Sequence, residues 1–103
     1  MADPPAALSC QQARALLDRA LVASDGLIWT GHARTRSHQR QFDVFDVRRV
    51  LAAGVIAPGQ WDVRYRDWTY AVAGVDLDGD PLTVVVAFDE GSGTVTVITA
   101  YGD

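Results

Sequence analysis

The sequence predicts an α+β domain: an N-terminal helix, a short strand, two helices, then a three- to four-stranded antiparallel meander. Three observations predict it. Apolar residues recur at helical spacing in two stretches, each behind a capping signal. From Trp61 onward the pattern changes to alternation and short apolar runs. The links between those runs are too short for parallel crossovers, so the neighbours must be antiparallel.

The 103 residues suit one domain. Residues 1–7, MADPPAA, predict a flexible lead, and 8–103 a single domain. Ser9 and Gln12 have capping-box spacing, with Leu8 placed as a hydrophobic staple. Ala13, Leu16, Leu17, Ala20 and Leu21 form one apolar face of a helix over about 10–22. Ser24-Asp25-Gly26 ends it in a turn. GLIWT, residues 26–30, is short, β-branched and aromatic, which predicts a strand. Asp43 is the expected N-cap of a helix over 43–53, with Asp46 as a weaker capping-box partner. Val44, Val47, Val50 and Leu51 lie on its apolar face. Gly54 stands where a left-handed C-terminal residue belongs. VIAPGQ is expected as a loop. WDVRYR alternates, Trp61, Val63 and Tyr65 against Asp62, Arg64 and Arg66, and predicts a strand. WTYAVAG alternates again, DLDGDP is a turn, and TVTVITAY is the last strand. LTVVVAF is almost continuously apolar, as expected of a strand that is central or covered on both faces.

Between the first strand and the second capped helix lies TGHARTRSHQRQFD, almost without apolar residues. On a helix, His32, Arg36 and Arg40 form one stripe, with Thr35 and Gln39 beside it. Arg34, His38 and Gln41 lie roughly opposite, and the small Ala33 and Ser37 share the remaining edge. Arginine presents a planar fork of donors that fits phosphate. Histidine moves protons near neutral pH. A helix start favours anions. The stripe therefore suits an anion or an RNA phosphodiester. The same residues also suit a solvated outer helix face, and His32 suits a structural role at the start of the helix.

All nine basic residues are arginine, and the formal net charge is −4. Five arginines lie between Arg34 and Arg49, whereas the stretch from Asp76 to Asp103 holds only acids. An acidic chain is a poor default ligand for nucleic acid, because phosphate affinity comes from excess basic charge. DNA is not an expected partner. No apolar run approaches a membrane span, and MADPPAALS has no secretory pattern. One cysteine, Cys10, argues against a disulfide scaffold. Together these point to the cytoplasm. Metal spacing such as CxxC or HExxH is absent, and LDGD (Leu77–Asp80) fits a hairpin turn better than a calcium loop. No metal and no cofactor are expected.

HARTRSHQRQFDVFDVRRVLAAG resembles the leading motif of a small bacterial domain family of unknown function. That motif is close to His-Ala-x-x-Arg-x-x-x-Arg-Gly-Ile-Ser-x-x-Asp-Val, followed by a helix and a glycine. His32, Ala33, Arg36, Arg40, Phe42, Asp43, Asp46, Val47 and Gly54 occupy its places here. YAVAGVDLDGDPLTVVVAFDEGSGTVTVITAY resembles the family's ending, so the likeness covers about residues 27–101. Gln41 stands in place of the usual glycine, Ser37 in place of a larger apolar residue, and the chain is acidic. The family is grouped with the RelE/ParE-like toxins and BrnT, and MqsR toxins carry a similar N-terminal leader. The resemblance implies a RelE-like fold, an antitoxin or other protein partner, and metal-independent cleavage of RNA. In that chemistry His32 is the general base or acid. Arg36 and Arg40 stabilise the phosphorane-like transition state. Arg64 or Arg66 grips the flanking backbone, and Tyr101 is a weaker proton donor. Two other readings stand beside it: a non-catalytic protein-interaction or ligand-binding module on the same fold, and another enzyme using the arginine stripe. Exposed Trp29, Trp61 or Trp68 would favour a partner interface.

Overall fold

The computed structural model describes residues 6–30 and 43–102. Helix α1 spans Cys10–Val22 behind the Ser9 N-cap. The Ser9 hydroxyl accepts from the Gln12 N–H at 3.1 Å, and the Gln12 side chain accepts from the Ser9 N–H at 2.9 Å. This satisfies two of the donors a helix start leaves open. Helix α2 spans Val44–Ala53, and Asp43 and Asp46 close the same reciprocal box at 3.0 Å each. The helix predicted over 32–41 lies outside the described residues.

The two helices cap each other. Arg14 of α1 donates to the carbonyls of Leu51 and Gly54 at the C-terminal end of α2. Arg48 of α2 donates to the Leu21 carbonyl at the C-terminal end of α1, at 2.6 Å. A cation at a helix C-terminus meets both the open carbonyls and the negative end of the dipole. The arginines thus lock the pair in an antiparallel arrangement.

The strands are β1 (Leu27–Trp29), β2 (Val55–Ile56), β3 (Gln60–Asp62), β4 (Asp67–Val75), β5 (Pro81–Asp89) and β6 (Thr94–Gly102). They form one mixed sheet in the order β1-β6-β5-β4-β2, with β3 also paired to β4. The antiparallel meander runs from β3 to β6. β1 adds to it in parallel, Leu27 beside Val95 and Trp29 beside Val97. β2 and β3 line the same edge of β4. Pro58, which has no N–H to give, sits between them.

Both helices cover one face of this sheet. Ala13, Leu17 and Ala20 of α1 and Val47, Val50 and Leu51 of α2 meet Val72, Val84, Val86, Val95 and Val97 in one buried core. In β6 the extra residue Ile98 makes a bulge, because Val86 pairs with Val97 but Val85 with Thr99. The bulge lets both Val97 and Ala100 face the core.

Four expectations change. VIAPGQ is not a plain loop, since it holds β2 and the first residue of β3. The strand expected over 61–66 ends at Asp62, whose carboxylate accepts from the Arg64 and Tyr65 N–H groups at 2.8 and 3.2 Å. That turn chemistry outcompetes the alternation, and Arg66 takes a left-handed φ of 52°. Gly54 is extended (φ −76°, ψ 170°), not left-handed. Glycine is needed there for room: a Cβ would lie 2.6 Å from the Val50 carbonyl oxygen and 2.8 Å from that of Ala73. The fourth change is the parallel β1, which makes the sheet mixed.

Candidate functional site

His32, Arg36 and Arg40 lie outside the described residues. Arg64 and Arg66 are exposed in the β3–β4 turn rather than side by side on a strand. Tyr101 is on β6 opposite Thr83 and is 39% exposed. The register separates these groups. The β3–β4 turn precedes Asp67, the first residue of β4, whereas Tyr101 lies level with Thr83 and hence with Ala73 near the end of β4. At about 3.3 Å per residue, Asp67 and Ala73 are roughly 20 Å apart along β4. Arg64 and Arg66 therefore do not share a reacting centre with Tyr101.

Both described ends flanking the 31–42 stretch lead to the Tyr101 end of the sheet. β1 runs parallel to β6, toward Tyr101, and Thr30 donates to the carbonyls of Val97 and Ile98 at 3.3 and 3.0 Å. Asp46, in the first turn of α2, accepts from the Leu77 N–H of the β4–β5 turn at 3.0 Å. That turn adjoins Pro81 and Leu82, level with Gly102. Arg48, one of the five clustered arginines, is committed to capping α1.

The opposite end of the sheet carries Asp67, Asp89 and Glu90. A cleft of about 430 Å³ there is lined by Asp67, Ala87, Phe88, Asp89, Glu90 and Thr96. Its carboxylates partly serve the backbone: Asp89 accepts from the Gly91 N–H at 3.0 Å and Asp67 from the Trp68 N–H at 2.8 Å. Beside it, Tyr70 is buried and its hydroxyl accepts from the Leu8 N–H at 2.7 Å. Burial pushes the Tyr70 hydroxyl above its ordinary pKa; the Leu8 N–H opposes this, and the nearby Asp67 and Glu90 carboxylates add to it. The LDGD stretch is a hairpin turn: Asp76 accepts from the Asp78 and Asp80 N–H groups at 2.9 Å each. Among the described residues no group of three or more acids, histidines or cysteines is placed to hold a metal ion.

The most unusual surface is the sheet face turned away from α1 and α2. β5 contributes Thr83, Val85 and Ala87 to it, paired with Ala73 and Ala71 of β4 on one side and with Tyr101, Thr99 and Thr96 of β6 on the other. Ile28 of β1 extends it on one edge and Val55 of β2 on the other, with Val75 at the end of β4. None of these positions carries a charge, although 21% of the chain is charged. A sheet with one face on its core normally presents charged and polar residues on the other. Here Ile28, Val55 and Val75 stand 47%, 76% and 44% exposed. Sequence reasoning missed this face as a site. Its signal was the absence of charge at both alternating sets of positions in LTVVVAF and TVTVITAY. Trp29, Trp61 and Trp68 are only half-buried; Trp29 and Trp68 pack on the core, and Trp61 meets Trp68 edge-on at 5.5 Å.

Fold and face together define, among the described residues, a two-layer α+β domain with helices on one side of a mixed sheet and a surface uncharged in its middle on the other. The chain matches the model of the family described as Domain of unknown function (DUF4258) over residues 29–102. The protein belongs to that family. No curated protein and no solved structure matches the chain significantly. α1 lies outside the matched region, yet it supplies Ala13, Leu17 and Ala20 to the shared core.

Proposed function

We propose that this protein is a non-catalytic protein-interaction module that docks an uncharged protein surface on the open face of its sheet. The observation that carries this reading is the stretch of that face from Ala71 to Val75 of β4, Thr83 to Ala87 of β5 and Thr96 to Tyr101 of β6, which carries no charge in a chain of net charge −4. Nucleic acid is a poor occupant, because binding to phosphates needs arginine or lysine on the surface that meets them. Its small side chains lose little freedom on burial, which lowers the cost of docking. The reading places the protein in the cytoplasm, in keeping with a single cysteine. A photoreactive residue at Val85 tests it, beside one at Arg19 on the outer side of α1. The reading expects protein adducts of discrete mass from position 85 only, lost when Ala73→Arg puts a charge on the face. Adducts that ribonuclease releases, or none, contradict it.

One observation favours a second reading, a RelE-like toxin that cleaves RNA and pairs with an antitoxin. The described ends that flank His32, Arg36 and Arg40 lead to the end of the sheet that carries Tyr101. In that reading His32 exchanges the proton, the two arginines stabilise the phosphorane-like charge, and Tyr101 donates. Arg64 and Arg66, in the turn at the far end of β4 from Tyr101, grip the flanking RNA backbone. Cleavage of a defined RNA by purified protein in chelator, abolished by His32→Ala, is its test.

A further inference from the structure

We infer that copies of this chain associate head to tail, the β3–β4 turn of one copy seating against the β4–β5 turn of the next. The contact uses the two ends of β4 and leaves the middle of the open face free, so the inference goes beyond the docking reading above.

The β3–β4 turn has the same build as the β5–β6 turn. In each, four residues join two paired positions, Asp62 with Asp67 and Asp89 with Thr94. In each, the leading aspartate accepts from the N–H groups two and three residues on. Asp62 takes those of Arg64 and Tyr65 at 2.8 and 3.2 Å, Asp89 those of Gly91 and Ser92 at 3.0 and 3.3 Å. In each, the last residue of the turn has a positive φ, 52° at Arg66 and 74° at Gly93. The β5–β6 turn meets these demands with Gly91, Ser92 and Gly93, the small residues that such turns favour. The β3–β4 turn sets Arg64, Tyr65 and Arg66 in the same places, behind Val63. Arg66 holds a backbone conformation that a Cβ disfavours. Val63 and Tyr65 stand 77% and 58% exposed, and both arginines are exposed. Asp62 and Asp67 hold backbone N–H groups, and among the described residues neither guanidinium has a hydrogen-bond or ion-pair partner. Large side chains on a strained, exposed tip serve a contact rather than the fold. Trp61 and Trp68, paired across the two strands and edge-on at 5.5 Å, stiffen its base.

The chain itself carries the matching surface, and this selects a second copy as the occupant. Val63-Arg64-Tyr65-Arg66 alternates apolar and cationic residues. Val75-Asp76-Leu77-Asp78 alternates apolar and anionic ones, and Asp80 adds a further acid. Val75 and Leu77 stand 44% and 59% exposed. Asp76 is committed to its own turn, but the Asp78 and Asp80 carboxylates have no partner among the described residues. Arg64 and Arg66 of one copy can meet Asp78 and Asp80 of the next while Tyr65 covers Leu77, which joins charge-assisted hydrogen bonds to apolar burial. Each chain is net −4, so copies repel except where arginine meets aspartate. The same contact within one chain is excluded, because the ends of β4, Asp67 and Val75, lie roughly 26 Å apart. A contact between unlike sites at opposite ends leaves one of each unused, so copies add in a row. Such a contact is small, and the association is weak and sensitive to salt. RNA is a poorer occupant of the tip, because two arginines neutralise only two phosphates and Val63 gains nothing from them.

Sedimentation of the purified full chain in low and high salt tests this. The inference expects an average mass that rises above the 11.1 kDa of one chain as concentration approaches about a millimolar, and that falls back when salt is added. Two variants reverse the charges: Arg64→Asp with Arg66→Asp in the tip, and Asp78→Arg with Asp80→Arg in the facing turn. Each weakens association more than about tenfold. The two move net charge in opposite directions, so a general charge effect does not account for both losses. Mixed in equal amounts they associate again, because the reversed tip fits the reversed turn. Arg19→Ala on α1 associates as the wild type does. Far-UV circular dichroism shows which variants are folded, and Tyr65→Ala, which changes no charge and also weakens association, carries the test if a reversed variant is not. A wild type of one chain mass at every concentration overturns the inference, as does association that persists in a folded reversed variant or that the mixture fails to restore. Labelled single-stranded RNA that binds the wild type but not the reversed tip assigns the tip to RNA and overturns it too. The open-face reading is decided separately, by the position-85 photoadduct.

Discussion

Arg14→Ala isolates the reciprocal capping that joins α1 to α2. In the wild type the guanidinium donates to two carbonyls at the end of α2, those of Leu51 and Gly54, and to Asp18 at 2.9 Å. The Asp18 pair is exposed on its acid side and adds only about 0.3–0.5 kcal/mol, as (i, i+4) pairs do. The two carbonyl bonds matter more. Hydrogen bonds to charged groups contribute about 1.5–3 kcal/mol each when buried, and a cation at a helix C-terminus about 0.3–1 kcal/mol. Arg14 is 29% exposed, so water replaces part of this, and a net loss of ~2 kcal/mol is expected. For a domain of this size that lowers Tm by roughly 8–10 °C. Thermal unfolding followed by far-UV circular dichroism measures it, with Arg19→Ala as a control expected within about 0.5 kcal/mol of wild type. Arg14→Lys keeps the charge but not the fork and falls between. A loss below about 0.5 kcal/mol for Arg14→Ala would refute the capping argument, because an arginine spanning two helices would then be no different from one on the surface.

Leu17→Ala is expected to cost about 2–5 kcal/mol in chemical denaturation, since Leu17 is fully buried although α1 lies outside the family match; a loss under ~1 kcal/mol would make α1 an appendage, not part of the core. Gly54→Ala should cost about 1–3 kcal/mol through crowding against the Val50 and Ala73 carbonyls, and an unchanged melting curve would dispose of that steric account. Tyr70 gives a pH dependence. Its folded pKa is raised above 10.0, so the folded state keeps a proton that the unfolded state gives up. Stability is therefore unaffected below the unfolded value and falls as pH rises above about 10. Tyr70→Phe should remove that alkaline loss in melts taken as a function of pH, while costing stability near neutrality because the Leu8 N–H loses its acceptor.

The elements that were legible in the sequence are those encoded locally. Ser9 with Gln12 and Asp43 with Asp46 marked both helix starts, because a capping box is a contact between residues three apart. The β4–β5 and β5–β6 hairpins were legible for the same reason: Asp76 and Asp89 each gather the backbone N–H groups of their own turn. β1 was visible as a strand, but its pairing with residues 95–97 is a contact between opposite ends of the chain, and three residues do not encode a partner. Asp62, Arg64 and Arg66 alternate as a strand would, yet one carboxylate closing on two N–H groups made a turn. That single contact put both arginines in a turn instead of side by side on a strand. The uncharged face was legible in part. LTVVVAF predicted a strand central or covered on both faces; β5 is central, and among the described residues only one of its faces is covered by helices.

The account holds that this protein acts by docking and not by chemistry. Growth and total RNA, followed after the wild type is induced in a bacterial host beside His32→Ala, Arg36→Ala and Val85→Arg, test that most directly. The account predicts intact RNA in all four cultures. RNA loss and growth arrest that vanish with His32→Ala and Arg36→Ala but persist with Val85→Arg would contradict it and establish the ribonuclease in its place.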